Sequence, residues 1–359
     1  LHQGNEYNPD MTTQKVLVIG GATLDTIIQY EDMETLIHQK RDQLQAYLLL
    51  EEGKKIEVST QHITSGGGAT NAAVSFKRQG FQVNLFCKLG KDVAGEMIVR
   101  ELKGFGLDVS SIRFDEKIGT ANSFVVPSLK GDRTVFAYRG ANANLLDNDL
   151  PLSQIKTADF IYITSLSKGS AAHLPAIVAE AKKHEVKVAI NPGVSQLKKG
   201  GSDLQESLSG IDTLILNQEE AQTFMISMLQ DEGLSEGSFA LGYFNLKEFF
   251  KKVLSLGPQV VVVTNGGEGV HVATAQHLYF HKAPKVNIIN TLGAGDAFGS
   301  GFAGTYYQGG DIAAAIRAGI VNSASVIQYP DAKTGLLTQT ESLLKLQDLP
   351  ADALTINGW

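Results

Sequence analysis

The sequence predicts an α/β protein built on a mostly parallel central sheet, and three observations carry that prediction. Short apolar runs recur at Val16–Ile19, Val83–Cys87, Phe160–Ile163, Lys187–Ile190, Thr213–Leu216 and Val260–Thr264. Segments of helical character separate them: Ala69–Gln79, Val93–Lys103, Ala171–Lys183, a stretch from Glu219, and two C-terminal stretches near 296–308 and 311–328. Glycine clusters or polar turn residues follow several of the runs. Strands covered on both faces lose the alternation of half-buried strands, and repeated strand–helix order places parallel strands beneath helices.

Composition agrees with a globular enzyme-sized chain. Of 359 residues, 43% are hydrophobic and 19% charged, enough for a large core. The net charge is −7 with both signs dispersed and no basic block, which argues against a nucleic-acid partner. Cys87 is the only cysteine, so an intrachain disulfide is excluded and a reducing, cytoplasmic setting is expected. No apolar run approaches the ~18 residues of a membrane helix. The first ten residues are polar, lack a signal-peptide core, and precede Met11, a candidate natural start. The expected organisation is an N-terminal tail at 1–11, a single domain at 12–350 and a C-terminal tail at 351–359.

Three segments break the parallel pattern. About 24–30, 55–64 and 112–139 are β-rich and alternating, the last with a turn at Lys130-Gly131-Asp132. They are expected to form a small antiparallel sheet projecting from the core as a lid. Between the first two, Glu34–Glu51 reads as an amphipathic helix, with Ile37, Leu44 and Leu48 on one face interrupted by Arg41. It is read as a surface insertion, or alternatively as a lid or dimer element.

The strongest chemical signal is Gly293-Ala294-Gly295-Asp296, between the β-rich stretch Val286–Asn290 and a helix. Two glycines allow a tight turn whose N–H groups converge, and the helix that follows adds the positive end of its dipole. An Asp beside such an anion hole makes sense as a general base that takes a hydroxyl proton while the N–H groups hold developing charge. On this motif alone, a plain helix N-cap reads equally well.

Other clusters extend the pattern. Thr264-Asn265-Gly266-Gly267-Glu268-Gly269 follows an apolar strand and can wrap a nucleotide phosphate, or form an ordinary glycine turn. Asn217 and Glu220 follow another strand, either as a capping box or as the pair that orders Mg²⁺ waters and phosphate. Ser65-Gly66-Gly67-Gly68-Ala69-Thr70-Asn71 opens a helix, and Asp25 ends a turn after Gly20-Gly21. These are candidate polyol ligands at strand ends, where open α/β sheets bind, with a flexible turn and a solvated Asp as the bland alternatives. There is no G-x-x-x-x-G-K-[ST], H-E-x-x-H, C-x-x-C or G-x-S-x-G. The G-x-G-x-x-G at Gly299–Gly304 falls inside a helix and is read as close packing.

Together the motifs resemble the ribokinase/PfkB carbohydrate kinase family from about Val16 to Ile327. Asn290-Thr291-Leu292-Gly293-Ala294-Gly295-Asp296 is similar to its D-T-x-G-A-G-D signature. Ser65–Asn71 matches its N-terminal glycine motif, Asn217 and Glu220 its N-x-x-E, and Thr264, Gly266 and Gly269 its T-x-G-x-x-G loop. The resemblance implies a ribokinase-like three-layer sandwich with a small β-sheet lid. It implies ATP-dependent phosphorylation of a hydroxyl of a sugar, or alternatively of a nucleoside. A non-catalytic sugar or nucleotide sensor is the alternative of a different class. By resemblance Asp296 is the base, and Gly293, Ala294 and Gly295 complete the anion hole. Asp25, Gly67 and Asn71 hold substrate hydroxyls, and Arg139 approaches substrate or phosphate. Asn217, Thr264, Gly266, Gly269 and Asn322 meet the nucleotide, with Asn322 bordering the adenine, and Glu220 meets Mg²⁺ through water. ATP, Mg²⁺ and K⁺ are the expected cofactors, and a homodimer is the expected assembly. The chain departs from the family pattern in three places. Asn290 stands where the last signature has Asp, Gly68 where ribokinases have Lys, and Thr23 where they have Asn.

Overall fold

A computed structural model describes residues 13–29, 34–40, 43–127, 133–198, 202–231 and 244–359. The expected tail at 1–11 and the turn Lys130-Gly131-Asp132 lie outside the described residues.

The core is a twisted sheet of nine strands among the described residues. From one edge it runs Gln82–Phe86, Lys15–Ile19, Phe160–Ile163, Lys187–Ile190, Thr213–Asn217 and Val260–Asn265, all parallel. Gly269–Ala273, His277–His281 and Leu354–Gly358 then extend it antiparallel. The last strand corrects the expected tail at 351–359: Leu354 to Gly358 pair residue by residue with His281 to His277. Alternation along each strand divides the core into two layers. Val16, Val18, Val260 and Val262 pack under the helices Gly68–Arg78, Ala294–Gly309 and Ile312–Val326. Leu17, Ile19, Val261 and Val263 pack on the other face with the helices Leu174–Lys183, Gln218–Asp231 and Leu246–Ser255. This is the three-layer α/β sandwich that the apolar runs imply.

A second sheet stands off the core. Its order is Arg133–Tyr138, Asn122–Pro127, Thr23–Gln29 and Thr60–Gly66. The first and last of these pairings are antiparallel, and the central one is parallel. Three residues separate Thr23–Gln29 from the core strand Lys15–Ile19, and Thr60–Gly66 runs directly into the helix Gly68–Arg78. The lid is therefore rooted in the two segments that carry Asp25 and Asn71.

The stretch expected as an amphipathic helix is a β-hairpin, Glu34–Lys40 against Gln43–Leu49. Cross-strand pairs such as Leu36 with Tyr47 and Ile37 with Ala46 supply apolar contact that the helical stripe also counted. The hairpin pairs with no other strand among the described residues, and Leu36, Ile37 and Tyr47 are exposed. Among the described residues no helix is long and apolar enough to cross a membrane.

The segment 139–149 returns the chain from lid to core and is pinned by a buried cation. Lys88 Nζ donates to the Asn144 carbonyl and to Asp149, each at 2.8 Å, and lies 3.2 Å from Asp115. Removing a buried partner leaves its counter-charges uncompensated. Lys88→Met is expected to lower unfolding free energy by about 3 kcal/mol, read from the urea midpoint; an unchanged midpoint would contradict this role.

Candidate active site

The site grows from the carboxyl ends of the parallel strands. Lys15–Ile19 lies between Gln82–Phe86 and Phe160–Ile163, so the connections depart to opposite sides and open a crevice at its end. Gly20 closes that strand at φ 154°, and a Cβ there would run into the Thr164 side chain. Asn142 clamps the turn that follows: its Oδ1 accepts the Ala22 N–H at 3.1 Å and its Nδ2 donates to the Ala22 carbonyl at 2.9 Å. The clamp fixes the launch of the lid strand that carries Asp25.

Asp25 is buried, and Ser123 Oγ from the neighbouring lid strand donates to its Oδ1 at 2.7 Å. Gly66 lies against Oδ2 so closely that a Cβ would overlap it. Burial pushes the Asp25 carboxyl above the usual carboxylate range, opposed by the Ser123 hydrogen bond and the Lys333 charge and reinforced by Asp296 and Glu101.

Asp296 lies in the first turn of the helix Ala294–Gly309, whose cap Gly293 has φ 75°. That left-handed geometry suits glycine, and a Cβ there would also collide with Ala332. The N–H groups of Gly295 and Asp296 find no acceptor among the described residues, and they lie at the positive end of the helix dipole, where an anion is favoured. Asn71 Nδ2 donates to Asp296 Oδ2 at 2.8 Å. Asp296 lies deep in the fold yet keeps an open face on a cavity of about 260 Å³ that Gly68, Arg139, Thr164, Asn191 and Glu220 also line. Burial pushes its carboxyl up, while the Asn71 hydrogen bond and the Lys333 and Arg133 charges pull it down. A carboxylate of raised proton affinity beside unused N–H donors is equipped to accept a proton next to an anion.

A second cluster lies two strands away. Asn217 and Thr264 are register partners on adjacent strands. The Asn217 N–H donates to Glu220 Oε2 and the Glu220 N–H to Asn217 Oδ1, both at 2.8 Å, a reciprocal helix cap. The capping alternative is thus realised, and Glu220 still lines the Asp296 cavity. Burial pushes the Glu220 carboxyl up, the Asn217 hydrogen bond pulls it down, and Asp296 and Glu219 add to the rise. Gly266–Glu268 form a single 3-10 turn, and Gly269, at φ 124°, is so close to the His281 carbonyl that a Cβ would overlap it.

Asn322 lines a cavity with Gln79, Thr305 and Leu337, and its amide is occupied by the chain itself. The residue is 3% exposed, its Nδ2 donates to Ser75 Oγ and the Ala297 carbonyl, and its Oδ1 accepts the Leu337 N–H, so its amide binds helix to helix. The segment Val286–Asn290 forms no strand. Its Ile289 and Asn290 N–H groups donate to the Ile327 carbonyl at a helix end, which competes with sheet pairing. Asn290 is fully engaged as well, with Nδ2 donating to the Pro330 carbonyl at 2.8 Å and Oδ1 accepting the Leu292 N–H at 2.9 Å.

Comparison with known proteins decides the family: the family described as pfkB family carbohydrate kinase matches residues 34–339. The chain belongs to that family of sugar kinases. It is 27% identical over 269 residues to an ATP-dependent ribose-1-phosphate kinase of Halopiger xanaduensis, covering 75% of this chain and 82% of the relative. It is 26% identical over 334 residues to a ribokinase of Staphylococcus aureus, covering 90% and 97%. Its fold superposes on the Arabidopsis thaliana ribokinase complexed with ribose and ATP with a TM-score of 0.74 at 20% identity, covering 95% and 100%. The ribokinase-like fold with its lid sheet is thereby shared.

The kinase signature does not disclose every residue of the site. Lys333 Nζ donates to the Ser65 carbonyl and, at 2.9 Å, to Asn71 Oδ1. Arg133 Nη1 donates to Thr291 Oγ1 at 2.6 Å, joining a lid strand to the anion-hole loop. Ser123, Asn142 and Thr164 complete the surroundings. None carries a local signal: Lys333 follows Pro330-Asp331-Ala332, a turn composition that reads as solvated.

The raised Asp296 carboxyl has a consequence for stability. A carboxyl whose folded value exceeds 3.8 disfavours folding once it is ionised. Asp296→Asn is therefore expected to stabilise the protein at pH 7 by on the order of 1 kcal/mol. The gain should shrink as pH falls through the raised folded value and vanish below about 3.8. Thermal unfolding across pH checks this; a variant less stable than wild type at pH 7 would contradict it.

Proposed function

We propose that this protein transfers the γ-phosphoryl group of ATP to a hydroxyl of a sugar, with Asp296 as general base. The observation that carries this reading is the Asp296 carboxylate, raised in proton affinity, held by Asn71, and set beside the free N–H groups of Gly295 and its own backbone. The ribokinase and ribose-1-phosphate kinase relatives support the reaction class.

In this mechanism Asp25, Asn71 and the Gly67 backbone hold acceptor hydroxyls at the root of the lid. Asp296 takes the proton of the attacking hydroxyl as its oxygen bonds to the γ-phosphorus and the bond to the β-phosphate oxygen breaks, releasing ADP. The N–H groups of Gly295 and Asp296, on the turn that Gly293 and Ala294 set, hold the equatorial oxygens of the moving phosphoryl, while the Ala294 N–H is taken by the Thr291 carbonyl. Arg139, on the cavity wall, is placed for the acceptor or the phosphoryl. Asn217, Thr264, Gly266 and Gly269 meet the nucleotide. Among the described residues no group of three metal-ligating side chains occurs, and Glu220 alone at the cavity edge fits an ion held mainly by water and phosphate. Mg²⁺ bound with the nucleotide supplies charge neutralisation between its phosphates. Closure of the lid excludes water, which would otherwise compete as acceptor. A cytoplasmic setting fits the lone buried Cys87. The exposed, register-paired Phe124 and Phe136 on the lid, with Tyr138, favour a homodimer closed lid to lid.

ADP release from Mg²⁺-ATP is measured against ribose, ribose-1-phosphate, fructose, 2-dehydro-3-deoxygluconate, adenosine and inosine. Sugar-dependent turnover is expected, lowered roughly 10²–10⁴-fold in Asp296→Asn. Nucleoside-only turnover would replace the acceptor class, and tight sugar binding without turnover would mark a sensor. Because burial raises the Asp296 carboxyl, kcat/KM should fall with decreasing pH through a limb lying above 3.8.

The Asn290 amide is pinned between the Leu292 N–H and the Pro330 carbonyl, so the chain itself already uses both ends of the side chain that stands where the family signature has Asp. Turnover is therefore expected to be independent of K⁺, within about twofold when tetramethylammonium replaces it; a requirement for K⁺ would contradict this.

A further inference from the structure

Lys333 has no part in the reaction as derived above, yet its ammonium is enclosed at the centre of the site. It is 2% exposed and follows the helix Ile312–Val326. Asp331 Oδ1 accepts the N–H groups of Lys333 at 2.8 Å and Thr334 at 2.7 Å, and Thr334 Oγ1 donates to Asp331 Oδ2 at 2.6 Å, so the backbone beneath the side chain is fixed. Nζ reaches from there to two acceptors, the Ser65 carbonyl at the end of a lid strand and Asn71 Oδ1.

The chemistry of the three groups permits only one arrangement. An ammonium only donates and an ionised carboxylate only accepts. The Asn71 amide between them must turn Oδ1 to Lys333 and Nδ2 to Asp296, because the flipped amide would oppose donor to donor and acceptor to acceptor. Lys333 thus sets the Asn71 amide, and Asn71 holds Asp296 Oδ2 at 2.8 Å. Asp296 Oδ1 is left on the Gly68 side, and Gly68 lines the cavity.

We propose that Lys333 is a positioning residue for phosphoryl transfer: through Asn71 it aims the Asp296 carboxylate so that Oδ1 takes the proton, and through the Ser65 carbonyl it ties the root of the lid to that aim. The inference rests on the reading of Asp296 as the base. The electrostatics agree with the geometry. Asp296 faces Lys333 from the loop after Ile312–Val326, Arg133 and Asp25 from lid strands, Glu220 from the helix Gln218–Asp231, and the Tyr162 phenol from the central sheet. Burial pulls the Lys333 ammonium below its ordinary range, and Glu101, Asp25, Asp331 and Asp296 push it back up.

Two substitutions separate aim from charge. Lys333→Met removes both the donor and the charge, whereas Lys333→Gln removes the charge and keeps a donor for Asn71 Oδ1. With Mg²⁺-ATP and the panel acceptor of highest turnover, Lys333→Met should lower plateau kcat by about 10²-fold, with the KM for ATP within about twofold. Lys333→Gln should recover at least about a tenth of the wild-type kcat. In the ligand-free full chain, ¹³C-carboxyl NMR, assigned with Asp296→Asn, should place the Asp296 titration midpoint higher in both variants than in wild type. Should Lys333→Met fail to fold, Lys333→Gln decides by the NMR shift. A wild-type plateau kcat with an unmoved Asp296 midpoint overturns the proposal, as does a lowered Tm with wild-type kcat, which would leave Lys333 only a structural tie. If Asp296→Asn itself turns over at the wild-type rate, the failure lies in the base assignment instead.

Discussion

The site depends on one buried ammonium surrounded by carboxylates. Asp25, Asp296, Glu101 and Asp331 all act on Lys333, within a region where burial alone would drive carboxyls toward neutrality. Charges removed from water must be paired or hydrogen-bonded, and here hydrogen bonds hold each group while the opposite charges act across the cluster. Ser123 holds Asp25, Asn71 holds Asp296, and the Thr64 hydroxyl and Ser65 N–H bind Glu101. The lid root, the glycine helix, Asp296 and the C-terminal loop meet at this cluster.

Backbone geometry makes that meeting possible. Gly66 allows Asp25 to lie flat against the chain, and Gly293 allows the anion-hole turn to press on Ala332, one residue before Lys333. The glycines thus serve close approach as much as flexibility. The Asn290 amide and Arg133 fasten the same loop from opposite sides, to the Pro330 carbonyl and from the lid. The loop that would hold the phosphoryl is fixed before any ligand arrives, which suits catalysis by preorganised dipoles.

What the sequence disclosed follows from the range of each interaction. Apolar runs such as Val260–Val263 define parallel strands because burial on both faces leaves a local trace. Gly293–Asp296 is legible because turn, helix start and carboxylate are contiguous. Lys333 and Asn71 are 262 residues apart, and nothing near Lys333 marks its ammonium as buried. Arg133 pairs with Thr291 across 158 residues, a separation that leaves no local mark in the sequence. Glu34–Leu49 misled for a different reason: a short exposed segment with apolar residues on two faces satisfies both periods, and cross-strand pairing settles it. The family resemblance puts Asn322 beside the adenine, and the partners of its amide, Ser75, Ala297 and Leu337, are too distant in sequence to be read there.

Everything proposed for the reaction turns on Asp296 accepting the proton of the acceptor hydroxyl during transfer. Quench-flow under single-turnover conditions, with Mg²⁺-ATP and a saturating sugar acceptor, isolates that step in wild type and Asp296→Asn, beside titration of ADP binding. In Asp296→Asn the chemical step is expected to slow by at least about 10²-fold with ADP affinity nearly unchanged. An undiminished chemical step in Asp296→Asn would contradict proton transfer to Asp296 and move the base elsewhere in the cavity.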